Sequence, residues 1–483
     1  MNTSKTIEEL HDMLITKKIT PQELINEAIN KSYEVNKKCN AFVTIIDKPN
    51  IIETNENLLS NIPFGAKDNY STKGILSTGS SNTLKDYVPF FSATAIDNLA
   101  KNGAVLINKT ALDEFGLGAT GTTCHTGIVR NPWNLERMCG GSSSGSVAAV
   151  ASGVYPFALG TDTGDSIRKP AAFCGVVGYK PTYGMISRYG IFPYASSLDH
   201  AGCITRSVKD AAIVVDAMKG QDPKDLTSWD SSKINLYAGI DGNVKGKKLF
   251  YIDEIVNKEY YLNAPESVKM HLDNFYSTLD ILKSKGVEIE KISLDINLLK
   301  AIPGVYHCIS FAEATSNLSN LTSISFGKRG KGNTYEEIVK DYRTNGFSPL
   351  IKRRLVIGSF ILQKENQEKY YVNACRVRRL LVDEMKKLFD KYDGMILPVS
   401  SGPAPYFDDD KNEQFDTSLL DNNLQIGNLG GFPSITIPNG FVNNMPVGIN
   451  ITGNCFDDLN VLNIAFALES EMPYKNQIVK EEA

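Results

Sequence analysis

Between Gly140 and Ser166 the chain switches repeatedly between backbone that only small residues form easily and backbone that must be buried. Gly140-Gly-Ser-Ser-Ser-Gly-Ser146 runs directly into Val147-Ala-Ala-Val-Ala-Ser152, a small-residue helix stopped by Gly153. A short apolar strand, Tyr155-Pro-Phe-Ala-Leu159, comes next. Gly160-Thr-Asp-Thr-Gly-Asp-Ser166 then closes the segment as a second glycine-rich turn. A flexible linker does not join two buried elements in this way, so 140–146 reads as a structured loop whose backbone N–H groups face a ligand. Short buried strands alternating with helices exclude an all-helical or all-β chain and predict an α/β fold with a largely buried sheet.

The flanking sequence extends that pattern. Thr6 with Glu9, and Thr20-Pro21 with Glu23, are capping boxes that start two N-terminal helices. Residues 40–46 read as a strand, 47–61 as a polar connection, and Ile62-Pro-Phe-Gly-Ala66 as an apolar run that ends on Lys67-Asp-Asn69. A further strand is expected at 175–178 and a helix at 208–218. The stretch 245–392 reads as mostly charged amphipathic helix, including 371–391. Strands at 394–398, 433–437 and 446–451 and a helix at 457–469 finish the chain. Without repeats or linker-like stretches, one domain over about 4–475 is expected. It comprises an N-terminal arm (about 6–37), a core (about 61–215), a helical insert (about 245–392) and closing strands with a helix (about 393–470).

Composition narrows the class. In 483 residues, 51 Lys and Arg stand against 55 Asp and Glu, a net charge of −4, which removes the global basic field of a chain whose whole surface tracks nucleic acid. The eight cysteines contain no C-x-x-C pair and no cluster at zinc-ligand spacing, so free thiols and no metal site are expected. The N-terminus is acidic and amphipathic, and no apolar run approaches the roughly 18 residues of a membrane span, so a cytoplasmic protein without a membrane partner is expected.

Gly141-Ser-Ser-Ser-Gly145 formally matches the G-x-S-x-G elbow of α/β-hydrolases, but 131–137 does not read as the strand that must feed it. No Lys-Ser/Thr follows the glycines, which excludes a Walker A loop. Ser166 has two readings. An isolated serine caps a helix. In a turn where the N–H groups of Thr163, Gly164, Asp165 and Ser166 converge on an oxyanion, it is a nucleophile. With only five histidines in the chain, its base must be sought among the lysines. Lys67 at the end of an apolar strand is either a surface partner of Asp68 or a desolvated, neutral amine.

Pro63-Phe-Gly-Ala-Lys-Asp-Asn69, Gly140-Gly-Ser-Ser-Ser-Gly-Ser146, Leu159-Gly-Thr-Asp-Thr-Gly-Asp-Ser-Ile-Arg-Lys-Pro-Ala171 and Met445-Pro-Val-Gly-Ile-Asn-Ile-Thr-Gly453 together resemble the amidase signature family. The resemblance implies a large mixed twisted sheet covered by helices on both faces. It also implies a Lys-Ser-Ser triad at Lys67, Ser142 and Ser166, with an oxyanion hole from the 163–166 turn. Leu112-Asp-Glu-Phe115, Asn131-Pro-Trp-Asn134, Gly178-Tyr-Lys-Pro-Thr-Tyr-Gly184, Glu313-Ala-Thr-Ser-Asn-Leu318 and Arg353-Arg-Leu-Val-Ile-Gly358 resemble one branch, the A subunits of tRNA-dependent amidotransferases. That branch implies glutamine as substrate, held by Arg354, Asp421 and Tyr306. It also implies a B-type partner that binds tRNA and acts as a kinase, a small C-type partner, and aminoacyl-tRNA (Glu-tRNA(Gln), Asp-tRNA(Asn) or both) reached through the complex. No cofactor is implied here, with ATP and Mg2+ at the partner. The alternative is a stand-alone amidase acting on another carboxamide.

Two positions depart from the pattern. The family has Gly-Gly-Ser at the nucleophile, where this chain has Gly164-Asp165-Ser166, and Lys169 is also unusual. Aspartate tolerates a positive φ, so Asp165 is expected to fit the turn with its carboxylate turned away and paired with Arg168 or Lys169. The stretch 320–327 replaces a tyrosine- and arginine-bearing segment. The basic clusters 328–331 and 376–379 read as faces for RNA or a partner, or as solvated helix surface.

Overall fold

Residues 2–479 are described by the computed structural model. In chain order the strands are β1 Phe42–Ile45, β2 Pro63–Lys67, β3 Val105–Thr110, β4 Arg130–Asn131, β5 Asn134–Met138, β6 Phe157–Asp162, β7 Val177–Lys180, β8 His200–Thr205, β9 Lys248–Ile252, β10 Glu288–Ile292, β11 Gly394–Pro398, β12 Ser434–Val442 and β13 Met445–Thr452. Eleven of them form one sheet in the order β1-β3-β2-β6-β8-β7-β12-β13-β11-β9-β10, and β4 and β5 make a separate hairpin. The sheet is mixed. Strands β3, β2 and β6 run parallel to one another, the centre from β6 to β11 is antiparallel, and β11, β9 and β10 are parallel again.

Both faces are covered. Along β6, Phe157 and Leu159 belong to the larger apolar core while Ala158 between them belongs to a second core with Val147, Val150 and Ala171. The period-2 alternation of a strand therefore feeds two separate layers. The second layer holds the helices Ser144–Ala151 and Arg168–Cys174, whose small side chains let their backbones approach the strands. Gly145 is required there: a Cβ would sit 2.2 Å from the Ala41 carbonyl oxygen.

The capping boxes at Thr6 and Thr20 are present as read, starting helices Ile7–Ile15 and Pro21–Cys39. Three expectations need correcting. Strand β8 lies where none was read. The stretch 245–392 is not wholly helical, because β9 and β10 open it and complete one edge of the sheet. Its helix 371–391 begins later, at Asn373–Phe389, after a π-helical turn over Glu368–Val372. The third concerns 131–137, which does contain a strand, β5. This strand leads into the serine loop, but it pairs with β4 and, through Arg137, with Tyr406, outside the main sheet, so it is not the central-sheet strand that the elbow needs.

Candidate active site

The C-terminal ends of the parallel pair β2 and β6 deliver the two reactive segments side by side, since Ala66 pairs with Leu159 just before Lys67 and the 160–166 turn. Lys67 is completely buried. Its Nζ lies 2.8 Å from Ser142 Oγ, 2.9 Å from Ser143 Oγ, 2.8 Å from Thr161 Oγ1 and 3.1 Å from the Thr161 carbonyl oxygen. Burial drives its pKa down to about 7, against the opposing pull of Asp162, Asp113 and Asp199. A neutral amine has two N–H groups and one lone pair. The Thr161 carbonyl can only accept, and Ser143 Oγ already donates to that carbonyl at 3.3 Å. With the two N–H groups on these oxygens, the lone pair is left to the hydroxyls of Ser142 and Thr161, and the Ser142 contact has the geometry of a base poised on a hydroxyl.

Ser142 follows a cis Gly141–Ser142 peptide bond, and its carbonyl accepts from the Asp113 N–H at 3.2 Å. Asp113 in turn collects the N–H groups of Thr120, Gly121, Thr122 and Thr123, so one buried carboxylate folds 113–123 around the serine loop. Ser166 lies against that loop through its carbonyl, which accepts from Ser143 N–H at 3.2 Å. Among the described residues, no hydrogen bond joins Ser142 Oγ to Ser166 Oγ. Likewise, none of the Thr163, Gly164, Asp165 and Ser166 N–H groups donates to a protein acceptor.

The turn is held from behind. Arg168, fully buried, forms a fork on Asp162 (Nε to Oδ2 and Nη2 to Oδ1, both 3.0 Å) and donates to the Gly164 carbonyl at 2.8 Å and to Asn428 Oδ1 at 2.5 Å. Burial alone would raise the Asp162 pKa, but Arg168 and Lys180 outweigh it and hold the carboxyl well below the usual range. Neither Gly164 nor Asp165 takes a positive φ. Aspartate's tolerance of that region is thus not what fits it here. Gly164 is needed for a different reason, because a Cβ would meet the Tyr306 ring at 2.9 Å. Asp165 pairs with Lys169 at 2.7 Å rather than with Arg168.

The remaining predicted residues lie around the same turn. Tyr306 sits against Gly164, and burial and the neighbouring Tyr194 raise its phenol well above the usual pKa. Arg354 donates to Tyr194 Oη at 3.3 Å and lies over the Phe311 ring. Asp421 is joined to the turn through Lys169, which donates to its backbone carbonyl at 2.7 Å. Its carboxylate accepts from Ser401 N–H at 3.0 Å and Thr417 Oγ1 at 2.6 Å. A cavity of about 180 Å³ opens beside Thr161 and Thr163, lined also by Asn69, Gly116, Tyr194 and Asp199. Asp199 accepts from Thr163 Oγ1 at 2.6 Å and Tyr194 N–H at 2.8 Å, and burial lifts its pKa to about 6. Sequence reasoning missed Ser143, Thr161, Asp199 and Tyr194. Only Ser143, inside the serine run, carried a visible signal. No cluster of His, Cys, Asp or Glu among the described residues could hold a metal ion.

The sequence model of the amidase family matches residues 23–462. The chain belongs to the amidase family. It is 37% identical to the A subunit of glutamyl-tRNA(Gln) amidotransferase from Geobacillus sp. (strain WCH70), over 98% of each chain. It is 38% identical to the protein of the same name from Mycoplasma genitalium, over 92% of this chain and 93% of the other. The crystal structure of the glutamyl-tRNA(Gln) amidotransferase A subunit from Thermotoga maritima superposes with a TM-score of 0.81 at 33% identity, covering 99% of this chain and 98% of that one. The mixed sheet with helices on both faces is this amidase fold.

Proposed function

We propose that this chain is the glutaminase subunit of a tRNA-dependent amidotransferase, with Lys67 as base, Ser142 as proton relay and Ser166 as nucleophile. The observation that carries the reading is the fully buried Lys67 Nζ at 2.8 Å from Ser142 Oγ. Near-full-length similarity to A subunits supports the choice of glutamine over other carboxamides.

In this mechanism neutral Lys67 takes the Ser142 proton as Ser142 takes that of Ser166. The Ser166 oxygen forms a bond to the glutamine carboxamide carbon. The four free N–H groups of 163–166 receive the oxyanion. The proton returns through Ser142 to the departing nitrogen, ammonia leaves, and water hydrolyses the glutamyl ester by the same relay to give glutamate. The unlinked Ser142 and Ser166 hydroxyls draw together when substrate fills the turn, as catalytic hydrogen bonds commonly do. Arg354 would bind the α-carboxylate and Asp421 the α-ammonium, with Tyr306 closing the turn, a charge pair that a zwitterion needs and an apolar amide does not. Ammonia would pass to a B-type partner, held with a small C-type partner in a cytoplasmic complex. ATP and Mg2+ there would activate the aminoacyl-tRNA.

The test is ammonia release from glutamine by the complex purified with its partners, with and without ATP and Glu-tRNA(Gln) or Asp-tRNA(Asn). Ser166→Ala is expected to lower the rate by about 10³-fold or more. Unchanged release would remove Ser166 as nucleophile, and equal turnover of unrelated carboxamides without partners would favour a stand-alone amidase.

A further inference from the structure

Asp165 and Lys169 stand one helical turn apart at the entrance to helix Arg168–Cys174, with Lys169 N–H donating to the Asp165 carbonyl at 2.9 Å. Their side chains, each 14% exposed, form an ion pair of 2.7 Å. The same ammonium reaches across to the Asp421 carbonyl at 2.7 Å. A single cation therefore joins the residue before the nucleophile to the residue proposed to hold the substrate's amino group. Burial opposes the charge on Lys169, but Asp165 and Asp421 outweigh it and raise its pKa, so Lys169 stays charged. The three side chains sum to one negative charge, the same as Asp421 alone.

We propose that Asp165 and Lys169 form one charge-neutral positioning unit for the glutamine ammonium, in which each residue is harmful without the other. This deepens the glutaminase reading and rests on it. Without Lys169, Asp165 becomes an unpaired carboxylate beside the turn where the oxyanion forms, which raises the barrier and lowers kcat. Without Asp165, Lys169 keeps its bond to the Asp421 carbonyl but stands uncompensated beside the place where a substrate ammonium must bind. That change weakens binding and raises KM. Removing both charges restores the balance, and a glutamine at 169 still carries an N–H for the Asp421 carbonyl.

The experiment measures ammonia release by the intact complex carrying Lys169→Gln, Asp165→Gly or both. Lys169→Gln is expected to lower kcat about tenfold and Asp165→Gly to raise KM about tenfold, with the double variant within about threefold of the parent. Lys169→Arg should preserve kcat. A second substrate separates position from folding: on 4-carbamoylbutanoate, which is glutamine without its amino group, the Asp165→Gly penalty should vanish. The proposal is overturned if the two single effects multiply in the double variant. It is also overturned if both singles match the parent, or if the Asp165→Gly penalty persists on the desamino substrate. Failure of the glutaminase reading itself looks different, as a parent complex that releases no more ammonia from glutamine than Ser166→Ala does.

Discussion

Lys67 is the residue at which burial and charge compete most openly. Four oxygens lie within 3.1 Å of its Nζ, enough to solvate an ammonium, yet the side chain has no contact with solvent and its pKa falls to about 7. Only the neutral form can accept a proton, so kcat/KM for glutamine should rise with pH and reach half its plateau near pH 7. A profile of initial rates from pH 5.5 to 8.5 checks this, and activity that falls across that range would assign the base to another group. Lys67→Arg should be as inactive as Lys67→Met, since a guanidinium does not become neutral at any working pH. From the residues alone Lys67, at the end of an apolar strand, left two readings open, and the family resemblance chose between them. Of its partners, Ser142 was named through the same resemblance, but Thr161 was not, because Thr161 and Asp162 are consecutive on β6 and alternation sends their side chains to opposite sides, a choice that needs the sheet in place. Arg354, Tyr306 and Asp421 had no local signal at all, and only the family resemblance pointed to them.

At the level of elements, the nucleophile turn is shaped less by its glycines than by the buried fork between Arg168 and Asp162. Arg168 bonds at once to the strand end, to the Gly164 carbonyl and to Asn428, so it fixes the backbone whose N–H groups are free. Removing one partner of such a pair leaves a buried, uncompensated charge. Arg168→Met should therefore destabilise the fold by about 3–5 kcal/mol, measurable by chemical denaturation, and abolish ammonia release even where folded protein is recovered. Arg168→Lys keeps the charge but not the fork, and should fold better while remaining largely inactive. Most core elements were readable because glycine and small-residue patterns are local. The central strand β8 was not, nor were β9 and β10 at one side of the sheet, whereas the opposite edge strand β1 was. β10, Glu288-Ile-Glu-Lys-Ile292, carries charges that discourage pairing with another chain, and the same charges made it read as helix. β9 is a short apolar run that periodicity cannot separate from a helix segment.

Across the whole molecule, residues 3–7 and 469–476 are joined by one polar cluster around 206–210. Arg206 donates to the carbonyls of Thr3, Lys5, Val150 and Tyr155 and to Asn476 Oδ1. Asp210 accepts the Ile7 N–H at the start of the first helix, and Glu469 accepts the Val208 N–H. Each carboxyl keeps one buried oxygen without a hydrogen-bond partner, and burial raises Asp210 to about 7 and Glu469 to about 8. Arg206 opposes the rise at Asp210 and Lys475 the rise at Glu469, while Glu8 reinforces the first and Asp210 the second. A carboxyl with a raised pKa keeps its proton in the folded chain where the unfolded chain has released it. Its contribution is full below about pH 4.5 and is lost as pH climbs to about 8, with a slope of up to ~1.4 kcal/mol per pH unit for each proton. Denaturation midpoints compared between pH 5 and pH 9 should therefore fall less steeply for Glu469→Gln than for the parent. The variant should be the more stable of the two at pH 9, because its amide never has to be buried as a charge. An unchanged slope would mean that Glu469 is already ionised in the folded protein. Lys475, the cation that opposes its rise, would then be acting as its counter-ion, and this cluster would be held by charge rather than by a neutral carboxyl.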